Sequence, residues 1–105
     1  MSTTLFGKKY PSPILMAPIG VQSLAHPEKE PGLADVCTGL DIPYIMSSAA
    51  NSSFEDVAAA SRLGKRWYQL YWPRDNEITM SLLERARQNG FDALVVTLDT
   101  WSLAW

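Results

Sequence analysis

Apolar residues in this chain follow two alternating rhythms. Short, nearly unbroken apolar runs stand at 13–20 (PILMAPIG), 42–48 (IPYIMSS), 66–72 (RWYQLYW) and 92–100 (DALVVTLDT). Each is bounded by Pro, Gly or small polar residues and predicts a buried strand. Between them apolar residues recur every three or four positions. In 30–40, Leu33, Val36, Cys37 and Leu40 fall at i, i+3, i+4 and i+7, which predicts a helix with those four on its buried face. In 52–64, Ser52 and Glu55 have capping-box spacing, Phe54, Val57, Ala58 and Ser61 share a face, and Gly64 suits the C′ position. In 74–90, Ile78, Leu82 and Ala86 recur every four residues, Arg85 and Arg87 suit the negative end of the helix dipole, and Gly90 closes the helix. Residues 1–12 show neither rhythm and predict an irregular lead-in.

The predicted order over 13–105 is βαβαβαβ with short connections, in one domain covering 1–105. Continuous apolar strands alternating with amphipathic helices make this an α/β chain with a parallel sheet and covering helices. Two architectures fit: a small open doubly wound sheet, or the first half, strands one to four, of a TIM (βα)8 barrel. Periodicity alone does not choose between them.

Composition narrows the function classes. The 105 residues are 47% hydrophobic and 19% charged, which is globular rather than disordered. A net charge of −2 with scattered Lys and Arg gives no basic stripe, so nucleic acid is not an expected partner. Apolar runs fall far short of the ~20 residues of a membrane helix, so no membrane partner is expected either. The N-terminal MSTTLFGKKYPSP has no apolar core of a secretory signal. A single cysteine, Cys37, forms no internal disulfide, and the expectation is a cytoplasmic or other reducing compartment. One Cys and one His make no zinc site, and no metal site is expected.

The candidate chemistry gathers where each strand ends. The exits read Ala17-Pro18-Ile19-Gly20, Ser47-Ser48-Ala49, Gln69-Leu70-Tyr71 and Thr97-Leu98-Asp99-Thr100. In parallel α/β folds ligands bind at that edge. Gln69 offers an amide, Ser47 and Thr97 hydroxyls, and Tyr71 a phenol. None is a strong base or nucleophile, so the set suits a polar heteroaromatic ring better than hydrolysis. Plainer roles stand beside each: Ser47 and Ser48 can begin a turn, a buried Gln69 can be satisfied by backbone, and Asp99 can cap a helix. Tyr68 and Tyr71 must point to opposite faces. His26 before Pro27 reads as structural, Cys37 as core, and Trp67, Trp72, Trp101 and Trp105 as packing and strand-end cover. Neither G-x-G-x-x-G nor a P-loop occurs.

Taken in order, PILMAPIGVQSLAHPEKE, IMSSAANSSFEDVA, WYQLYWPRD and ALVVTLDTWSLAW resemble the FMN-dependent 2-hydroxy-acid dehydrogenase and oxidase family, which includes glycolate oxidase and lactate oxidase. APIGVQSLAHPE and TLDTWSLAW are most similar to its lactate 2-monooxygenase branch. The resemblance implies the half-barrel, FMN as cofactor, and oxidation of a small L-2-hydroxy acid such as lactate to the 2-oxo acid. It implies that Ala17, Pro18 and Ile19 lie against the isoalloxazine ring, that Ser47, Gln69 and Thr97 bond its polar edge, and that Tyr71 reaches the substrate. Ala49 stands where glycolate oxidase carries Trp, which implies a roomier pocket. The family's catalytic His, substrate Arg and flavin Lys match nothing here, so no catalytic base is expected in this segment. The expectation is therefore a fragment ending after barrel strand four, inactive by itself. Two alternatives are a non-catalytic module that assembles with itself or with a complementary half-barrel, and another βα-barrel enzyme using a phosphorylated ligand.

Overall fold

The structure is a computed structural model, and it describes residues 1–100. The chain opens with a hairpin: β1 (Thr3–Leu5) pairs antiparallel with β2 (Lys8–Tyr10). The Leu5–Lys8 pairing leaves Phe6 and Gly7 as a two-residue turn, with φ of 51° and 73°. Two positive φ values are what a type I′ turn needs. This corrects the irregular lead-in expected for 1–12. Phe-Gly is not the Asn-Gly or Asp-Gly signal of such turns, and Phe6 is held instead by an edge-on contact with the Trp67 ring at 5.4 Å.

Three parallel strands follow: β3 (Tyr44–Ser47), β4 (Arg66–Tyr71) and β5 (Ala93–Thr97), hydrogen-bonded in that order. The strand expected over 13–20 is reduced to a single parallel bridge between Met16 and Tyr44. Met16 N–H donates to the Pro43 carbonyl and the Met16 carbonyl accepts from Ile45 N–H. Pro13 and Pro18 bracket Met16 and have no N–H for a longer ladder. Between the Met16 segment and β3 come a 3-10 turn (Gln22–Leu24) and helix α1 (Lys29–Gly39). Helices α2 (Phe54–Ser61) and α3 (Asn76–Gln88) make the next two crossovers.

The strand order decides between the two architectures. Each strand lies beside its predecessor in sequence, Met16 to β3 to β4 to β5, with no reversal. All three helices also cover one face. Ala34 and Cys37 of α1, Phe54 and Val57 of α2, and Ala86 of α3 share one core with Tyr44, Met46, Tyr68 and Leu70. A doubly wound sheet would reverse its order and place helices on both faces; a singly wound sheet is the arc of a barrel. On the opposite face Ile45 and Trp67 pack with Tyr10 of the hairpin, flanked by Leu5, Ala93 and Val95. Lys8 pairs with Asp92 at 2.6 Å, and the Lys65 ammonium lies over the Tyr10 ring. The hairpin thus covers the N-terminal end of the arc.

Three local expectations are corrected. On α1, Val36 and Leu40 are 56% and 63% exposed, and the buried positions are Glu30, Ala34 and Cys37. The centre of the packed face is a small residue flanked by a charged one, which an apolar stripe cannot reveal. On α2, Ser53 rather than Ser52 is the N-cap, its hydroxyl accepting from Asp56 N–H at 3.1 Å. Gly64 has an ordinary φ and lies against Thr38 of α1 so closely that a Cβ would collide. On α3, Ile78 is half exposed, and Thr79 and Ala86 are buried with Leu82 and Leu83 packed beside them. Gly90 does close α3, with φ of 72°.

Arg66 ties the helix ends together at the start of β4. Its guanidinium donates to the Ser61 hydroxyl (3.0 Å) and to the carbonyls of Arg62 (2.7 Å), Gly64 (3.2 Å) and Asn89 (3.2 Å). These groups lie at the C-terminal ends of α2 and α3, where carbonyls lack intrahelical donors and the dipole favours a cation. No helix among the described residues is long and apolar enough to cross a membrane.

Candidate functional site

The opposite end of the arc, where the strands finish, carries polar side chains. Alternation along parallel strands puts Ser47, Gln69, Tyr71 and Thr97 on the concave face, with Val95 level with Gln69 and with Ile45, Trp67 and Ala93 one row beneath. Tyr68 takes the helix-covered face, as its odd spacing from Tyr71 requires.

Three of these side chains form one hydrogen-bonded chain across the strands. Gln69, 2% exposed, accepts at Oε1 from the Ser47 hydroxyl (3.3 Å), the Ser48 N–H (3.2 Å) and the Ser48 hydroxyl (3.4 Å). Its Nε2 donates to Thr97 Oγ1 at 2.9 Å. These contacts fix which way the amide points, because only the oxygen can accept from Ser48 N–H. Thr97 Oγ1, having accepted, keeps its own proton to give. Ser47 Oγ accepts from Ala49 N–H (3.0 Å), and Ser48 Oγ accepts from Tyr71 N–H (3.2 Å), so the turn after β3 is stitched to β4. Tyr71 and Thr97 are register partners at the ends of their strands.

Ala17, Pro18 and Ile19 form the loop leaving Met16, with Ala17 and Ile19 exposed on the rim. The Ile19 carbonyl accepts from Gln22 Nε2 at 3.1 Å, and Val21 N–H donates to the Ala49 carbonyl at 3.0 Å. Gly20 faces Ala49 so closely that a Cβ would lie 2.9 Å from the Ala49 Cβ. Ala49 itself is exposed. An exposed, partly apolar lip therefore stands on one side and a line of oriented donors and acceptors on the other. A flat heteroaromatic ring with one polar edge fits that donor set.

Beneath the two loops lies a group that sequence reasoning missed. Glu30, in the first turn of α1, is 0% exposed. Its Oε1 accepts from Asn51 N–H (2.9 Å) and Gln22 N–H (3.3 Å), and its Oε2 accepts from the Ser52 hydroxyl (2.6 Å). Burial works against its charge, but the bonds from Ser52, Asn51 and Gln22 outweigh it and hold the carboxyl below its ordinary range. Tyr44 receives Gln22 Nε2 on its hydroxyl at 3.4 Å, and burial together with the Glu30 charge pushes that phenol upward. The available signal was the spacing of Glu30, Ala34 and Cys37, which puts a carboxylate on the packed side of a helix.

Other candidates stand apart. His26 accepts at Nδ1 from Glu28 N–H (3.2 Å) in an exposed loop, a structural role. Cys37 is buried in the core, and burial raises its thiol. Trp67 packs against Phe6 and Tyr10, Trp72 is exposed, and Asp99 is exposed. Trp101 and Trp105 lie outside the described residues. Among the described residues no cluster of His, Cys, Asp and Glu could hold a metal ion.

The comparison with known proteins is decisive at the level of family. A model described as FMN-dependent dehydrogenase matches residues 1–105. The chain belongs to the FMN-dependent dehydrogenase family. It is 57% identical, over its whole length, to the FMN-dependent alpha-hydroxy acid dehydrogenase qulF of Penicillium citrinum, of which it covers 26%. It is 42% identical to an L-lactate oxidase of Lysinibacillus sphaericus over 99% of this chain and 27% of that protein. A crystal structure of mandelate oxidase with 3,3-difluoro-2-hydroxy-3-phenylpropionic acid matches with a TM-score of 0.88 and 34% identity, over 94% of this chain and 29% of that one. The chain thus spans about a quarter of the length of the curated relatives it matches. Family membership and the singly wound strand order agree: these residues are the opening strands of a TIM barrel, with the polar chain at the end where such barrels bind ligands.

Proposed function

We propose that the protein carrying this segment uses FMN to oxidise a small L-2-hydroxy acid, such as lactate, to the 2-oxo acid. The observation that carries this reading is the Ser47–Gln69–Thr97 chain at the C-terminal rim of a barrel arc in a chain of this family. Relatives named as L-lactate oxidase and 2-hydroxyacid oxidase support the substrate class. In this reading the backbone of Ala17, Pro18 and Ile19 lies against the isoalloxazine. Ser47, Gln69 and Thr97 bond its polar edge, with Thr97 able to donate because Gln69 occupies its acceptor side. Tyr71 reaches the substrate's carboxylate or hydroxyl. Bound FMN supplies the two-electron acceptor. The chain's own residues orient the ring and hold hydrogen bonds that need no rearrangement during reaction. No residue here is assigned as the base, since His26 is engaged in its own loop.

Ala49 bears on the substrate side chain. Its methyl leaves open a space that a Trp at the same rim position would occupy, so this reading favours acceptance of larger 2-hydroxy acids as well as lactate.

The whole protein that carries this segment, purified and supplied with FMN and L-lactate in air, should yield the 2-oxo acid at a rate dependent on FMN, whereas residues 1–105 alone should not. A protein that binds FMN but oxidises no 2-hydroxy acid would contradict the substrate assignment. One that takes up no FMN would contradict the cofactor assignment.

A further inference from the structure

We infer that Glu30 is a positioning residue for the flavin site, its buried carboxylate locking the loop after Met16 to the loop after β3. The inference rests on the reading above, in which those two loops carry Ala17–Ile19 on one side of the ring and Ser47–Ala49 on the other.

One carboxylate serves both loops. Oε1 is shared between Gln22 N–H of the first and Asn51 N–H of the second, and Oε2 takes the Ser52 hydroxyl. The same loops are cross-linked further out: Val21 N–H to the Ala49 carbonyl, and Ser23 N–H (3.2 Å) and hydroxyl (2.7 Å) to Asn51 Oδ1. Gln22 extends the link, its side-chain amide donating to the Ile19 carbonyl on the rim and to the Tyr44 hydroxyl at the start of β3. A path of hydrogen bonds therefore runs from Glu30 through Gln22 to Ile19, and a second through Asn51 and Ser52 to the turn bearing Ala49. The anchor is rigid because Glu30 is fixed in α1, whose Ala34 and Cys37 are packed in the core. Removing the carboxylate takes the acceptor from the buried Gln22 N–H and from the part-buried Asn51 N–H, and with it the one group that both loops share.

A purely stabilising core residue would lower the melting temperature and leave the ring's surroundings unchanged. Glu30→Ala and Glu30→Gln in the FMN-loaded protein separate the two roles. The readouts are FMN affinity by fluorescence titration, the flavin's visible absorption band at saturating FMN, circular dichroism and thermal midpoint. Glu30→Ala should bind FMN about tenfold more weakly or worse. Glu30→Gln keeps one acceptor oxygen and should fall between it and the parent, and both should shift the band. If Glu30→Ala fails to fold, Glu30→Gln and Ser52→Ala decide, the latter removing only the donor to Oε2. Folded variants with the parent's FMN affinity and band overturn the proposal, whatever their melting temperature. A parent that binds no FMN contradicts the functional reading instead. The lock is then judged by amide exchange at Gln22 and Asn51, whose N–H groups share one carboxylate oxygen: protection lost in Glu30→Ala upholds it, and protection retained overturns it.

Discussion

Gln69 has no spare hydrogen-bonding capacity on the side facing Ser47 and Ser48, and its amide nitrogen holds Thr97. Replacing it with Leu strands the Ser48 N–H in a part-buried turn and frees Thr97 to rotate. We expect Gln69→Leu to cost about 1–3 kcal/mol in a urea titration and to weaken FMN binding, whereas a Gln69→Leu protein with the parent's FMN affinity would remove Gln69 from the site. Glu30 makes a pH prediction with a definite sign. Its folded carboxyl sits below the ordinary value of 4.5, so below that value the unfolded chain binds the extra proton first. The stability Glu30 contributes is complete above that value and is lost as pH falls through the lower folded value. Thermal midpoints measured from neutral into acid should fall less steeply for Glu30→Gln than for the parent. At this scale the sequence was informative about side chains at strand exits, where position alone suggests a role. Glu30 was masked, because a carboxylate in a first helical turn ordinarily reads as solvated and favourable to the dipole, and only its spacing from Ala34 and Cys37 pointed to the packed side.

Among the elements, α1 shows most clearly what periodicity can and cannot see. Its apolar stripe of Val36 and Leu40 lies largely in solvent, while Ala34 is fully enclosed. Val36→Lys should therefore change stability by no more than about 0.5 kcal/mol. Ala34→Leu, a change that looks milder on paper, should cost about 1–3 kcal/mol by overpacking against α2 and β3. Chemical denaturation of both variants checks this, and the reverse ranking would restore the stripe as the packed face. The element types and their order were legible because strand and helix periods differ sharply in this chain. The hairpin was not, since its Phe-Gly turn is held by a distant ring, Trp67, rather than by local turn chemistry. The strand at 13–20 was overestimated for a related reason: apolar character is present, but prolines limit its pairing to Met16.

For the whole molecule, the two ends of the arc divide the work. The N-terminal end is closed by the hairpin and tied by Arg66, whose burial lowers its own affinity for a proton and whose donors reach the ends of both neighbouring helices. The C-terminal end carries the polar chain and the two locked loops. The barrel was open to choice in the sequence because helix-covered strands look alike in singly and doubly wound folds. Only the sequential strand order and the one-sided helices separate them. The central claim is that this rim seats FMN for oxidation of an L-2-hydroxy acid. It is tested most directly by adding L-lactate to the FMN-loaded protein without oxygen and following the flavin's visible absorbance. Bleaching of the bound flavin, restored by admitting air or another acceptor and absent with D-lactate, is the expected result. A bound flavin that stays oxidised in the presence of L-lactate and of larger L-2-hydroxy acids would contradict it.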